Sequence, residues 1–494
     1  MRRPTLWTHP YLWTALPVLA LLVTACVHLP WGGDYGVHAA TIERLRDDPV
    51  HPGNPMVAEN TASPYYSPSM LALALIAKAT GWSTTTVLSL GALVAVSLLV
   101  SGVWRFTRAL TSARWAPALL LLCVTLMWGT QLFAWSGFLS LSSLTRSVGY
   151  PATMAWALTL HLWAWLPRAA ERDWPLPSTA GLGVFAAVIV LAHQFTGVTM
   201  LVGVAAFAVG APRGAAARRW PRLLVGAAVT TAVLAAWPYY PFFGLDNPPG
   251  EDAAHQALYA NVLWRYGFVL LGFPAFALRL RRQRLDPLVL LFCGCAAVYA
   301  LGRVTGHYAY GRVLPGAMFA AQAALAVEVA ERSAGPVLRR ALTAVTALAL
   351  ACGLWVQGSA LSYAVDRDAS LARHFHLQNV ELENGYGWIR PYVRSGSVTM
   401  TDDFFAQRRV PLYGGYVVFC PYPDPFLADW RTREADTDTF FASVTTPAER
   451  AALLAKYHVN WIIQTPGEQR VDLSRWYPRV ATGPTSEVLY RVGP

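Results

Sequence analysis

The chain has 494 residues, of which 55% are hydrophobic and only 14% are charged. Soluble globular proteins carry about 25% charged residues, so this composition excludes a soluble protein and is typical of a membrane protein. The net charge of +11 does not indicate nucleic-acid binding, because nearly half of the Lys and Arg lie in short loops between apolar segments, where membrane topology accounts for them.

Apolar segments long enough to cross the roughly 30 Å hydrocarbon core of a bilayer recur between Leu12 and Leu361. They predict a multi-pass α-helical membrane protein with about eleven transmembrane helices. The first segment, which ends in "LVTAC", also resembles a secretory signal with a lipoprotein-type box at Cys26, but we interpret it as a retained first helix. The predicted spans cover residues 11–30, 84–104, 116–134, 150–167, 177–192, 196–211, 222–241, 262–279, 287–302, 313–330 and 340–361.

The distribution of basic residues predicts the orientation of these helices, because cytoplasmic loops carry an excess of Lys and Arg. With a cytoplasmic N-terminus, the inner loops and their flanks hold eighteen arginines, whereas the outer ones hold seven basic residues. The protein is therefore predicted to lie in the plasma membrane with its C-terminal part exported. The inner set is Arg2, Arg3, Arg105, Arg108, Arg114, Arg168, Arg172, Arg213, Arg218, Arg219, Arg222, Arg279, Arg281, Arg282, Arg284, Arg332, Arg339 and Arg340, and the outer set is Arg44, Arg46, Lys78, Arg146, Arg265, Arg303 and Arg312.

The first outer loop opens with "WGGDYGVHAATIERLRDD", which presents a carboxylate, Asp34, directly after a membrane helix. An apolar stripe at helical spacing predicts a short amphipathic helix over 35–46. Asp34 can cap this helix by accepting the backbone N–H of Val37, or it can face a cavity at the membrane surface as a base or metal ligand. His38 shares the face of Asp34, whereas Glu43 is turned nearly opposite.

The same loop contains a second apolar segment, "SPSMLALALIAKATG", at residues 67–81. It is too short to span the bilayer, and counting it as a span would place the basic cluster around Arg105 outside. We therefore predict a helix that lies on, or dips into, the outer face of the membrane. The first outer loop then covers 31–83.

Several polar and ionisable side chains fall at the outer ends of predicted membrane helices, on the same side as Asp34. A charge so close to hydrocarbon is costly, which makes each a functional candidate, although snorkelling or a local cap explains any one of them alone. A cationic cluster at the mouth of a helical bundle suits an anionic lipid head group, because guanidinium forks bind phosphate. The candidates are Arg146, His193, Arg303, His307, Tyr310 and Arg312.

After the eleventh span the sequence becomes mixed and polar, which predicts a membrane bundle over 1–361 and a small exported α/β domain over 362–494. In "TTPAERAALLAKYHV", Thr446, Pro447 and Glu449 form the capping box and first turn of a helix. "SVTMTDD", "NWIIQT" and "EVLYRV" are typical of short strands. This part of the sequence carries no glycine-rich phosphate loop, and "LYGGY" indicates a turn.

This layout resembles that of the GT-C glycosyltransferases over the whole chain. The resemblance rests on the inner N-terminus, the first outer loop with its acidic residue in "GGDYGVHAA", the interfacial helix after "SPYYSP", the many spans and the exported C-terminal domain. It implies a polyprenyl-phosphate sugar as donor and Asp34 as catalytic base or metal ligand. Many members have an acidic pair where this chain has "GDY", so a divalent metal is left open, with Asp34, His38 and Glu59 as candidate ligands.

The resemblance implies a reaction in which Asp34 takes the proton of an acceptor hydroxyl, the hydroxyl attacks the anomeric carbon with inversion, and polyprenyl phosphate leaves. The acceptor would be a glycan or lipid of the cell envelope. Two other classes stay open, namely a transporter or flippase of lipid-linked glycans and a non-catalytic membrane scaffold whose exported domain binds wall polymer. The candidates for binding the donor and its phosphate are His38, Arg146, His193, Arg303, His307, Tyr310 and Arg312.

Overall fold

The computed structural model describes residues 9–29, 33–171, 175–210, 216–245, 251–331, 335–363, 386–422, 424–465, 471–484 and 486–493. Part of the predicted inner basic set (Arg2, Arg3, Arg172, Arg213 and Arg332) and the start of the predicted exported domain, 364–385, lie outside these ranges. The chain divides into two compact units. The helical unit comprises 1–30, 89–236 and 251–380, and the mixed unit comprises 31–88, 237–250 and 381–494.

The chain is mostly helical. The α-helices are α1 (Pro10–His28), α2 (Tyr35–Asp47), α3 (Pro68–Thr80), α4 (Thr84–Leu110), α5 (Ala116–Leu126), α6 (Leu141–Arg146), α7 (Pro151–Glu171), α8 (Leu176–Ala192), α9 (Gln194–Gly210), α10 (Ala216–Ala235), α11 (Glu251–His255), α12 (Val262–Tyr266), α13 (Phe273–Arg282), α14 (Pro287–Thr305), α15 (Leu314–Glu331), α16 (Pro336–Val356), α17 (Ala406–Arg409), α18 (Trp430–Phe441) and α19 (Pro447–Lys456). Short 3₁₀ segments include Tyr308–Val313, which leads into α15, and Val410–Tyr413, which follows α17.

Within the described residues, six helical stretches are long and apolar enough to cross a membrane: Pro10–His28, Thr84–Leu110, Val262–Arg282, Pro287–Thr305, Tyr308–Glu331 and Pro336–Leu361. Several other predicted spans contain shorter helices. The largest difference is at 116–134, where α5 has 11 residues and rises only about 17 Å. Just beyond its end, Thr130 N and Gln131 N donate to the carbonyl of Trp264, so the helical hydrogen-bond pattern is not continued there.

The core of the helical unit is α15, whose residues from Leu314 to Glu328 are all buried. It packs against α5, α13 and α14. Its many alanines and glycines let neighbouring helices approach closely; a Cβ at Gly316 would lie 2.5 Å from the Thr199 side chain.

The mixed unit is organised by a five-stranded sheet of β1 (Val398–Thr401), β2 (Tyr416–Val417), β3 (Val459–Gln464), β4 (Arg479–Thr482) and β5 (Val488–Arg491) in the order β2-β1-β3-β5-β4. The β1–β2 and β1–β3 pairs are parallel, and the β3–β5 and β4–β5 pairs are antiparallel. The strands predicted in "SVTMTDD", "NWIIQT" and "EVLYRV" are β1, β3 and β5. The predicted capping box of α19 is also present, with Thr446 N 2.8 Å from Glu449 Oε2.

Successive residues of the strands point to opposite faces of this sheet, and each face has its own core. On one face Ile463 and Leu489 pack in a cluster with Val37 and Ala40 of α2. On the other face Ile462 and Tyr490 pack in a second cluster, which contains Phe440 of α18 and Leu454 of α19. The helix that begins after Asp34 is therefore built into the core of the sheet.

The predicted helix at 67–81 is α3, which starts at an N-cap where Ser67 accepts the N–H of Met70. Its buried residues Met70, Ala74 and Ala77 follow one stripe, whereas Leu75 is 47% exposed. Lys78 Nζ donates to the carbonyls of Arg46 and Asp47 at 3.0 and 3.2 Å. A side chain of α3 thus supplies hydrogen bonds to the carbonyl groups at the C-terminal end of α2.

Candidate functional site

Asp34 precedes the first residue of α2, and its side chain makes no capping hydrogen bond. Of the two alternatives drawn from the sequence, capping of Val37 by this side chain is therefore not what the structure shows. An N-cap side chain usually reaches the first turn from an extended backbone, but Asp34 has φ −92° and ψ 4°. Its backbone carbonyl accepts from His38 N at 3.2 Å. The half-buried carboxylate thus lies at the start of α2 without serving as its cap.

The N-terminal turn of α2 is fixed by a close backbone approach. Gly36 lies against Arg408, so that a Cβ at this position would be 1.9 Å from the Arg408 carbonyl oxygen. Only glycine permits that approach without a shift of one backbone against the other. The carboxylate of Asp34, two residues earlier, is positioned by this contact.

The C-terminal half of α2 is held by a buried arginine. Arg44 is 3% exposed and donates through Nη1 to the Gly414 carbonyl at 3.0 Å and through Nη2 to the Gly415 carbonyl. Its guanidinium also lies 3.7 Å from the centre of the Tyr416 ring. The "LYGGY" segment, predicted as a turn, therefore supplies acceptors that fix α2.

Aromatic rings line the region next to Asp34. The Tyr422 hydroxyl donates to the carbonyl of Gly33, and its ring lies 6.3 Å from that of Tyr65. Tyr65 in turn lies 6.0 Å from the imidazole of His38. These rings form a row that runs from the backbone before Asp34 to the imidazole of His38.

His38 is almost completely buried, and desolvation lowers its pKa to about 3. Its imidazole is therefore neutral at physiological pH. The predicted role of His38 as a substrate contact stays a prediction, and on this evidence it would act as a neutral group and not as a cation for phosphate.

Arg408 is the cation of this region. Its guanidinium lies 3.6 Å from the ring centre of Phe404 and 5.1 Å from that of Tyr422. Burial raises the pKa of the Cys420 thiol. The positive charge of Arg408 lowers the same pKa, whereas the negative charge of Asp34 raises it. The sequence offered no signal for Arg408, because the pair of arginines in "FFAQRR" has no distinguishing spacing.

Asp424 is a second carboxylate of the mixed unit that the sequence did not single out. Burial raises its pKa to about 6, against the effect of hydrogen bonds from Phe426 N, Ser63 and Asn54. These bonds tie the first loop to the segment after Tyr422. Asp424 therefore has a structural use in addition to its titratable charge.

Glu59, a candidate metal ligand from the sequence, forms an ion pair with an arginine. Its carboxylate lies 2.6 Å from Arg433 Nη2, and the same guanidinium bonds Asp429 through Nε at 2.9 Å. In the part of the chain that the structure describes, no group of three or more His, Cys, Asp or Glu side chains could hold a metal ion. The described residues around Asp34 therefore do not fit a metal site.

Two of the predicted outer residues meet in the helical unit. Arg312 Nη2 lies 3.1 Å from His193 Nε2, and the guanidinium lies 4.8 Å from the ring centre of Phe195. A guanidinium can only donate, so Nε2 of His193 is the acceptor in this contact, and the backbone N–H of Thr196 lies 3.2 Å from Nδ1. Thr196 Oγ1 is 2.8 Å from that nitrogen. Arg312 is thus oriented by a hydrogen bond to the imidazole of His193 and by the ring of Phe195.

The remaining predicted residues have different surroundings. Arg303 Nη1 lies 3.3 Å from the Tyr308 hydroxyl, and Tyr310 packs 5.6 Å from the His307 ring. His307 Nδ1 is 3.7 Å from the carboxylate of Asp252. Arg146 ends α6 and is exposed. The candidates at the outer helix ends therefore fall into two groups, the Arg312–His193 pair and a more exposed group of the residues just described.

Solved structures share this architecture over almost the whole chain. ArnT from Cupriavidus metallidurans, in a crystal structure bound to undecaprenyl phosphate, aligns with 98% of this chain and 99% of its own, at 13% identity and a TM-score of 0.55. The chain has the GT-C fold. The Archaeoglobus fulgidus oligosaccharyltransferase in complex with Zn and sulfate aligns with 91% of this chain and 67% of its own, at 13% identity and a TM-score of 0.51.

The GT-C fold confirms the resemblance drawn from the sequence layout. No family model and no curated protein sequence matches the chain. The likeness is therefore one of fold.

Proposed function

We propose that this protein is a membrane glycosyltransferase that moves a sugar from a polyprenyl-phosphate donor to a glycan or lipid acceptor of the cell envelope, at the outer face of the plasma membrane. The observation that carries the proposal is the GT-C fold over 98% of the chain, shared with a structure that contains undecaprenyl phosphate. The position of the half-buried Asp34 carboxylate at the start of α2 supports a chemical role for this residue.

Asp34 would act as the general base in a single displacement. The acceptor hydroxyl gives its proton to the Asp34 carboxylate while its oxygen forms a bond to the anomeric carbon. The bond between that carbon and the phosphate oxygen breaks, and its electron pair stays on the polyprenyl phosphate. One displacement inverts the anomeric centre. Because the described residues do not fit a metal, no step requires one.

The helical unit would bind the lipid-linked donor through the predicted residues of its helix ends. Arg312, oriented by His193, presents a guanidinium whose planar donors suit phosphate. Arg303, His307, Tyr310 and Arg146 stay proposed donor contacts of this unit. His38 stays a separate candidate of the mixed unit.

The proposed topology has a cytoplasmic N-terminus, about eleven spans in the bundle over 1–361, and an exported α/β domain over 362–494. We expect a reporter enzyme fused after residue 494 to be active only if it works outside the cytoplasm, and one fused near Arg282 only if it works inside, because the basic loops stay in the cytoplasm. Paired fusions to an exported phosphatase and to a cytoplasmic fluorescent protein measure both positions. The reverse pattern at either site would overturn the orientation.

Donor turnover distinguishes this proposal from the transporter and scaffold alternatives. Purified protein in vesicles receives a polyprenyl-phosphate sugar that is labelled in the sugar, together with a bacterial envelope fraction as acceptor. We expect label in the envelope fraction and an equal amount of sugar-free polyprenyl phosphate. Label that crosses the vesicle bilayer still attached to its lipid would identify a flippase, and an unchanged donor that stays in its leaflet would fit a scaffold.

A further inference from the structure

We propose that Arg408 contacts the phosphate of the lipid-linked donor at the point of transfer and stabilises the charge that develops on it. This inference rests on the proposed function, because it assumes that Asp34 receives the proton of the acceptor. It places a phosphate-binding cation in the same unit as the proposed base, in addition to the arginines of the helical unit.

The reaction itself limits where such a cation can lie. A base sits about 3 Å from the hydroxyl oxygen that it deprotonates, and that oxygen approaches the carbon to about 3–3.5 Å. The leaving oxygen is bonded to the same carbon and to phosphorus. The phosphate is therefore within about 10 Å of the base, so a cation that stabilises it must lie in the surroundings of Asp34.

Three contacts bring Arg408 into those surroundings. Its backbone carbonyl lies against Gly36, two residues after Asp34. Its guanidinium lies 5.1 Å from the ring of Tyr422, whose hydroxyl donates to the residue before Asp34. The charges of Asp34 and Arg408 both act on the buried Cys420 thiol.

Arg408, which is half-buried, differs from the buried Arg433 of this unit in its partners, because Arg433 is neutralised by Glu59 and Asp429. Arg44 donates to two carbonyls, and its Nε–H, like that of Arg408, has no acceptor among the described residues. Arg408 Nη1 donates to the Phe404 carbonyl at 2.9 Å, whereas its Nε–H is buried and has no acceptor among the described residues. No carboxylate in this part of the chain is ion-paired with it.

A guanidinium in that state is prepared for an anion. Stacking on Phe404 and Tyr422 restricts its orientation, so little further freedom is lost when a ligand binds. A half-buried charge without a counter-ion gains more from a phosphate than a solvated one does, because the surrounding dielectric is low. Phe404 is 55% exposed, so the stacked side chain lies at the surface of the unit, where a ligand can reach it.

The test separates recognition of the phosphate from recognition of the isoprenoid. Binding of undecaprenyl phosphate and of undecaprenol, which lacks the phosphate, is measured for the purified parent protein and for Arg408→Gln. We expect the variant to lose on the order of 10- to 100-fold in affinity for the phosphate and to bind the alcohol unchanged, because one charge-assisted contact is lost. Arg408→Lys keeps the charge without the fork and should retain part of the preference.

Arg390→Gln is the matched control, because Arg390 also stacks on a ring of the mixed unit, 5.1 Å from Tyr413, but is exposed and outside these contacts. It should leave the preference for phosphate intact. Equal losses for phosphate and alcohol, or an Arg408→Gln variant with the parent preference and a parent-like thermal unfolding curve, would overturn the inference. If Asp34→Asn still abolishes transfer in that case, the proposed function survives and only the role of Arg408 fails.

Discussion

Asp34→Asn is expected to lower the rate of glycosyl transfer by about 10²–10⁴-fold, the usual cost of losing a general base, while the protein stays folded. Asparagine keeps the size of the side chain but cannot take the proton. No loss of a helix cap is expected, since Asp34 makes no capping bond to α2. The substitution should lower kcat, because the proton is transferred in the transition state and not when the substrate binds.

The measurement compares transfer kinetics and thermal unfolding of the purified variant with those of Glu43→Gln. Glu43 lies on the same helix, turned away, where it accepts a hydrogen bond from Thr84. That variant should keep most of the transfer rate. If Asp34→Asn transfers sugar at the parent rate, Asp34 is not the base, and the proposed mechanism is lost with it.

Gly36→Ala is expected to damage the site although alanine is the better helix former. Its Cβ would lie 1.9 Å from the Arg408 carbonyl oxygen, a backbone atom that cannot rotate away, so α2 or the segment at 408 must shift. Overpacking of this kind costs about 1–3 kcal/mol, against about 1 kcal/mol gained from helix propensity. A displacement of about 1 Å at a reacting group can cost about 10²-fold in rate.

Gly33→Ala is the comparison, because a Cβ there would meet nothing within 4 Å. Both substitutions flank Asp34 and both restrict the unfolded chain, so only the close approach at Gly36 distinguishes them. Transfer rate and thermal midpoint should fall for Gly36→Ala and stay near the parent values for Gly33→Ala. Similar behaviour of the two variants would show that the backbone approach does not position the carboxylate.

The sequence predicted the elements whose signals are local. The length of the apolar segments predicted helices in the predicted spans. The capping box predicted α19, and the strand patterns predicted β1, β3 and β5. The failures arose where distant segments decide the outcome. The end of α5 depends on a carbonyl at Trp264, and no periodicity near residue 126 encodes that contact.

The candidate site shows the same limit. Asp34 stood out because a carboxylate directly after a membrane helix is unusual, but its backbone conformation, which prevents capping, was not encoded in "GDYGV". Glu59 had the right residue type for a metal ligand, yet an arginine 374 positions away engages it. The roles of Arg408 and Arg44 depend on contacts with residues far away in the sequence, so sequence spacing carried no signal for either.

The bonds from Arg44 to the Gly414 and Gly415 carbonyls join residues 370 and 371 positions apart. During translation α2 therefore leaves the ribosome long before the two glycines whose carbonyls bind Arg44 have been synthesised. At typical synthesis rates of about 5–20 residues per second, that interval lasts roughly 20–70 seconds, while the membrane helices between them are inserted. The carboxylate of Asp34 at the start of α2 can take its final position only after Gly414 and Gly415 have been synthesised. An incomplete nascent chain therefore carries Asp34 without the contacts that hold α2 in place.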